Sequence, residues 1–129
     1  MPRNLMSVVK NFYQNKFSQS FPGRALDNKD YNRGGLRINP RYRVQLELSD
    51  GSLFVDVFTA KNGHPDELGI TVMDHNINFY YESTYKNISL QEAQAVLETI
   101  YDILCDLAYT GCEPKEVAKA LTIKLPPQA

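Results

Sequence analysis

RYRVQLELSDGSLFVDVF, residues 41–58, is the stretch on which the fold turns. Tyr42, Val44, Leu46 and Leu48 alternate with Arg43, Gln45, Glu47 and Ser49, the two-residue period of a strand with one buried face. Asp50-Gly51 follows, a dipeptide that tight hairpin turns favour because both central positions need positive φ. The alternation resumes in Leu53, Val55 and Val57. With Asp50-Gly51 as the loop, Leu48 faces Leu53, Leu46 faces Val55 and Val44 faces Val57, all on one apolar side. The other side then pairs Glu47 with Phe54, Gln45 with Asp56 and Arg43 with Phe58. Two phenylalanines make that side too apolar to be wholly wet.

Downstream, KNGHPDELG has loop composition, after which Leu68, Ile70 and Val72 alternate into a third strand. Asp74 to Asn76 form a turn, and Ile77, Phe79 and Tyr81 alternate into a fourth strand. In NISLQEAQAVLETIYDILCDLAYTG, Ser89 and Glu92 match the S-x-x-E capping box, whose two side chains satisfy unpaired N–H groups at a helix start. Leu90, Ala93, Leu97, Ile100, Leu104 and Leu107 form a helical stripe widened by Val96 and Ile103, and Gly111 suits the left-handed stop. About 20 residues at 1.5 Å each give a helix of roughly 30 Å. EPKEVAKAL begins a shorter helix with Pro114 in its first turn.

Upstream, Leu5, Val9, Phe12 and Phe17 approximate a helical stripe over residues 4 to 18, with Asn4 as cap, and Pro22-Gly23 end it. Residues 22 to 40 carry few aliphatics and read as an extended or irregular connector. The 129 residues, 43% of them hydrophobic, suffice for one ordinary core. The expected fold is α+β: an N-terminal helix and basic connector, then a four-stranded antiparallel meander covered by a long C-terminal helix, plus a short final helix. The expected division is residues 1–41 as helix and basic arm and residues 42–129 as an α+β sandwich domain.

The formal net charge of −1 conceals a split. Nine lysines and arginines face two carboxylates through residue 43, whereas five lysines face thirteen carboxylates beyond it. Such asymmetry points to contact with nucleic acid or to a basic arm lying across acidic groups such as Asp102, Asp106, Glu113 and Glu116. No 18-residue apolar run and no signal-peptide core are present, so the expected location is the cytoplasm, with no membrane partner.

A catalytic inventory finds little. His64 and His75 fall in turns and match no metal-ligand spacing, although Asp66, Glu67 and Asp74 lie near them in sequence. Cys105 and Cys112 fit no zinc or redox pattern. No nucleophile elbow, Walker loop or dinucleotide fingerprint occurs, and Gly34-Gly35 lacks the strand and helix such a loop requires. No enzyme activity, cofactor or metal is therefore expected.

The charge layout ranks a non-enzymatic binding protein first. Its basic arm would engage nucleic acid, RNA or DNA, or a nucleoprotein enzyme through Arg24, Lys29, Tyr31, Arg33, Arg37, Arg41 and Arg43. Guanidinium groups grip phosphates while aromatic planes, Tyr42 included, stack on bases. A second reading is a small inhibitor or regulator of a nucleic-acid-processing enzyme, in which the acidic body imitates phosphates. By analogy of design, phage and mobile-element proteins that block restriction or CRISPR effectors work this way. A third is a structural homodimer joined through Phe54 and Phe58, with Tyr80 and Tyr85 as further interface aromatics.

Overall fold

A computed structural model describes residues 4–22, 25–28, 32–33, 36–37, 41–59, 67–110 and 113–127. Helix α1 (Leu5–Phe12) starts at Asn4, whose side chain accepts the Ser7 N–H at 2.8 Å. It runs on through a π-helical turn, Tyr13–Phe17, into α2 (Ser18–Ser20). Five-residue hydrogen-bonded spacing brings Phe12 and Phe17, which an ideal α-helix would splay apart, to 5.4 Å between ring centroids. Both rings also meet Tyr101 edge-on, and Tyr13 tilts against Tyr42 at 5.1 Å.

The sheet has five strands in the order β1-β4-β5-β6-β7: β1 (Ala25–Asn28), β4 (Arg41–Leu48), β5 (Gly51–Thr59), β6 (Leu68–Asp74) and β7 (Phe79–Tyr85). The last four are the expected meander. β1 is an addition: it lies in the segment expected to be an extended or irregular connector and pairs with β4, Ala25 opposite Val44 and Asn28 opposite Arg41. Between them in sequence, β2 (Asn32–Arg33) and β3 (Leu36–Arg37) pair with each other.

The β4–β5 hairpin corrects the expected register. The loop is Ser49-Asp50, so Leu46 faces Leu53, Val44 faces Val55 and Tyr42 faces Val57. A shift of two residues keeps every side chain on its expected face, because strand sides repeat every second residue. On the outer side it moves Arg43 from Phe58 to Asp56, and Gln45 from Asp56 to Phe54. Gly51 opens β5 at φ 149 with the His75 ring lying where a Cβ would stand, which is why this position takes glycine.

The fourth strand also starts later than expected. Ile77 sits in the β6–β7 turn at φ 63, and β7 begins at Phe79 with a register irregularity at Val72/Met73. Helix α3 (Leu90–Thr110) has the reciprocal capping box, Glu92 N–H to Ser89 Oγ at 3.1 Å and Ser89 N–H to Glu92 Oε1 at 3.4 Å. Helix α4 (Pro114–Lys124) follows, and the Tyr85 hydroxyl beyond it donates to the Pro126 carbonyl at 2.7 Å. Gly111, expected to stop α3, lies outside the described residues.

One core unites these elements. It joins Leu5, Val9, Phe12 and Phe17 of the N-terminal helix to Val44, Val55, Ile70 and Val72 of the sheet and to Ala93, Leu97, Ile100 and Leu104 of α3. α1 thus packs into the same core as the sheet and α3.

Candidate nucleic-acid interface

The basic segment meets the sheet at the Arg41 end of β4. Moving from the pair Asn28–Arg41 to the pair Asn32–Arg37 advances four residues on one strand and retreats four on the other. The β1–β4 and β2–β3 ladders thus share one antiparallel register. The two residues between Arg33 and Leu36 in sequence are Gly34-Gly35, a pair that tight hairpins favour. Arg33, Arg37 and Arg41 all belong to these paired strands. Arg24, Lys29 and Tyr31 lie outside the described residues.

Arg43 is differently occupied. Its Nε and Nη2 donate to the two carboxylate oxygens of Asp56 at 2.8 and 3.1 Å, and its guanidinium carbon lies 4.2 Å from the Phe54 ring centroid. The Asp56 carboxylate is fully buried, so this cation is committed within the protein. Tyr42 faces the core, buried against Tyr13, and offers no plane to a base.

The aromatic interface candidates divide as well. Phe58 is 7% exposed, its ring lying against Gly69 where a Cβ would otherwise stand. Tyr85 is 7% exposed, its hydroxyl tied to Pro126. Neither presents an open face to a second subunit. Phe54 is half-buried beneath Arg43, and Tyr80 is half-buried with its hydroxyl donating to Asp74 Oδ2 at 3.0 Å.

Asp74 organises a site that its sequence position did not reveal. Its carboxylate also accepts the N–H groups of Asn76 and Asn78 at 2.9 and 3.0 Å and the Asn78 side-chain amide at 3.0 Å. These donors, the Asn78 backbone N–H foremost, hold its pKa down at about 2. The same bond from the other side raises the pKa of Tyr80, because ionisation would place a phenolate against a carboxylate. Tyr85 is also raised, chiefly by burial. Asp-x-Asn-x-Asn in a turn was the available signal, since short polar side chains bond neighbouring backbone.

His75 accepts the Ser52 N–H on Nδ1 at 3.3 Å and packs over Gly51, while His64 and Asp66 lie outside the described residues. Among the described residues no group of three His, Cys, Asp or Glu side chains could hold a metal ion, and no helix is long and apolar enough to cross a membrane. Cys105 is half-buried on α3, and Cys112 lies outside the described residues. Asp102, Asp106, Glu113 and Glu116 are exposed. The chain matches no family model, no curated protein and no solved structure.

Proposed function

We propose that this protein binds duplex DNA through the basic paired strands β1–β4 and β2–β3. The observation that carries this reading is the common register of the β1–β4 and β2–β3 ladders, which sets Arg33, Arg37 and Arg41 on paired backbone. Residues on paired backbone lose less main-chain freedom on binding than residues on a free tail. A two-stranded ribbon fits the major groove of B-form DNA, whereas the deep groove of A-form RNA is too narrow to read. Single strands are recognised largely by stacking on exposed rings, and the burial of Tyr42 takes one of the two tyrosines of this segment out of that role. Phosphate neutralisation would supply most of the affinity.

The test is fluorescence anisotropy of labelled duplex DNA and single-stranded RNA, titrated with the full chain and with an Arg33→Ser/Arg37→Ser/Arg41→Ser variant across a salt series. Each lost phosphate contact on B-form DNA removes about 0.9 from the slope of log affinity against log salt, so the triple variant loses about 2.7. Preference for RNA, or a slope that the three substitutions leave unchanged, overturns the reading.

A further inference from the structure

The β6–β7 turn presents apolar groups outward from a rigid mount, and it does so at a conformational cost. Ile77 lies in the left-handed region at φ 63, the backbone least suited to a β-branched residue, and it is 69% exposed. No burial in the core repays that conformation. Phe79, two residues on, is 58% exposed.

The mount is tightly held. Backbone bonds close the turn from Asp74 N–H to the Asn78 carbonyl at 3.1 Å and from Ile77 N–H to the Asp74 carbonyl at 3.0 Å, inside the Asp74 carboxylate network. The neighbouring β4–β5 turn braces it, since His75 N–H donates to the Ser52 carbonyl at 3.0 Å and the imidazole covers Gly51. Strain persists where the surroundings over-determine it, and such positions concentrate at contact and switch sites. A rigid apolar projection also keeps the ordering cost of binding low.

Charge selects the occupant. Glu82 is exposed on β7, whereas the Asp56 carboxylate is buried against Arg43 and turned away from solvent. Glu47 and Asp50 are exposed on the β4–β5 hairpin, whose turn abuts this one, at the end of β4 away from Arg41. Carboxylates repel phosphate polymers and anionic lipid headgroups alike, whereas lysine and arginine on a protein surface complement them.

We propose that the Ile77–Phe79 tip is a protein-docking knob that inserts into an apolar pocket rimmed by lysine and arginine on a partner protein. The inference makes no use of the basic strand pair and stands apart from the reading above.

The experiment places a photo-crosslinking amino acid at Asn76 of the full chain, and at Glu98 on the exposed side of α3 as a control, in the organism that encodes the protein. The expected result is one protein joined from position 76 but not from position 98, resistant to nuclease, and linked through a peptide that carries lysine or arginine beside an apolar pocket. With that protein purified, affinity should fall with salt and weaken at least about tenfold in Phe79→Ser and in Ile77→Gly, as expected when an anchoring side chain is truncated. Ile77→Gly should also raise the melting temperature, because glycine adopts this backbone without strain. Weaker docking in a more stable protein distinguishes a knob from a folding defect. A link to a second copy of this chain or to nucleic acid, no product at position 76, or an affinity that neither substitution changes overturns the proposal.

Discussion

Arg43 on β4 stands directly across from Asp56 on β5, and its guanidinium grips both oxygens of a fully buried carboxylate while lying over the Phe54 ring. Burial makes this pair sensitive to loss of one partner: the remaining charge keeps its desolvation penalty and loses the bonds that Arg43 and Asp56 make to one another. Arg43→Met is therefore expected to cost about 2–4 kcal/mol in urea unfolding, somewhat under the range for wholly buried pairs because the arginine side chain keeps 19% of its exposure. In a double-mutant cycle with Asp56→Val, the coupling should be about 1–3 kcal/mol. A coupling near zero would reduce the pair to simple packing.

Asp74 gives the fold an acid limit. Its pKa falls from 3.8 to about 2 on folding. The folded state then holds this proton less readily than the unfolded chain. Its stabilising contribution is complete above pH 3.8 and is lost as pH falls towards 2. Asp74→Asn should lower the melting temperature at pH 7 and flatten the decline of stability between pH 4 and 2. Parallel declines in the two proteins across that window would show that the carboxylate is not the group responsible.

The linked phenol responds at the other extreme. Because the pKa of Tyr80 is raised above 10.0, the protonated form favours the folded state. Its contribution is present below pH 10 and is lost as pH rises through the folded value. Ultraviolet titration should show two late phenolates in the wild type, Tyr80 and Tyr85, of which one is absent in Tyr80→Phe and moves earlier in Asp74→Asn. An unchanged late titration in Asp74→Asn would contradict the hydrogen bond as its cause.

Gly69 and Phe58 face one another across β5 and β6, and the ring occupies the space a side chain would need. Gly69→Ala must displace a nearly buried phenylalanine and is expected to cost about 1–3 kcal/mol, the usual range for overpacking. Pairing it with Phe58→Leu should restore part of that loss, because the smaller residue vacates the contested volume. Additive losses would show that the Phe58 ring is not what the added methyl displaces.

What could be read from the chain follows from where each signal resides. The faces of β4 and β5 were legible even though the register was two residues out, since Val44, Leu46, Val55 and Val57 keep their side under any even shift. The choice between registers depended on Gly51, whose φ and lack of a side chain accommodate His75 in a different hairpin, and on Asp56, whose partner is fixed only once the strands pair. Residues 25–28 left no trace as a strand, because their pairing uses backbone and carries no apolar alternation. Ile77 was read as the start of β7 because an isoleucine in alternation is ordinarily a strand residue, and nothing local announces a left-handed one. Of the proposed contact set, Arg43 and Arg41 looked equivalent in sequence, yet Arg43 is committed to a buried carboxylate on the neighbouring strand.

The N-terminal helix provides the last test, since it decides whether the body can stand without it. Leu5, Val8, Val9, Phe12, Tyr13 and Phe17 are all buried; Tyr13 meets Tyr42 of the sheet, and Phe12 and Phe17 meet Tyr101 of α3, through ring contacts. Burying one such apolar side chain contributes about 1.5–3 kcal/mol. Six of them carry a total similar to the whole stability of an ordinary domain, about 5–15 kcal/mol. A chain beginning at Pro22 should therefore lose cooperative thermal unfolding and expose apolar surface to a hydrophobic dye, and adding residues 1–21 as a separate peptide should restore at least part of the folded signal. A truncated chain with a sharp transition within a few degrees of the wild type would show that the helix is an accessory after all.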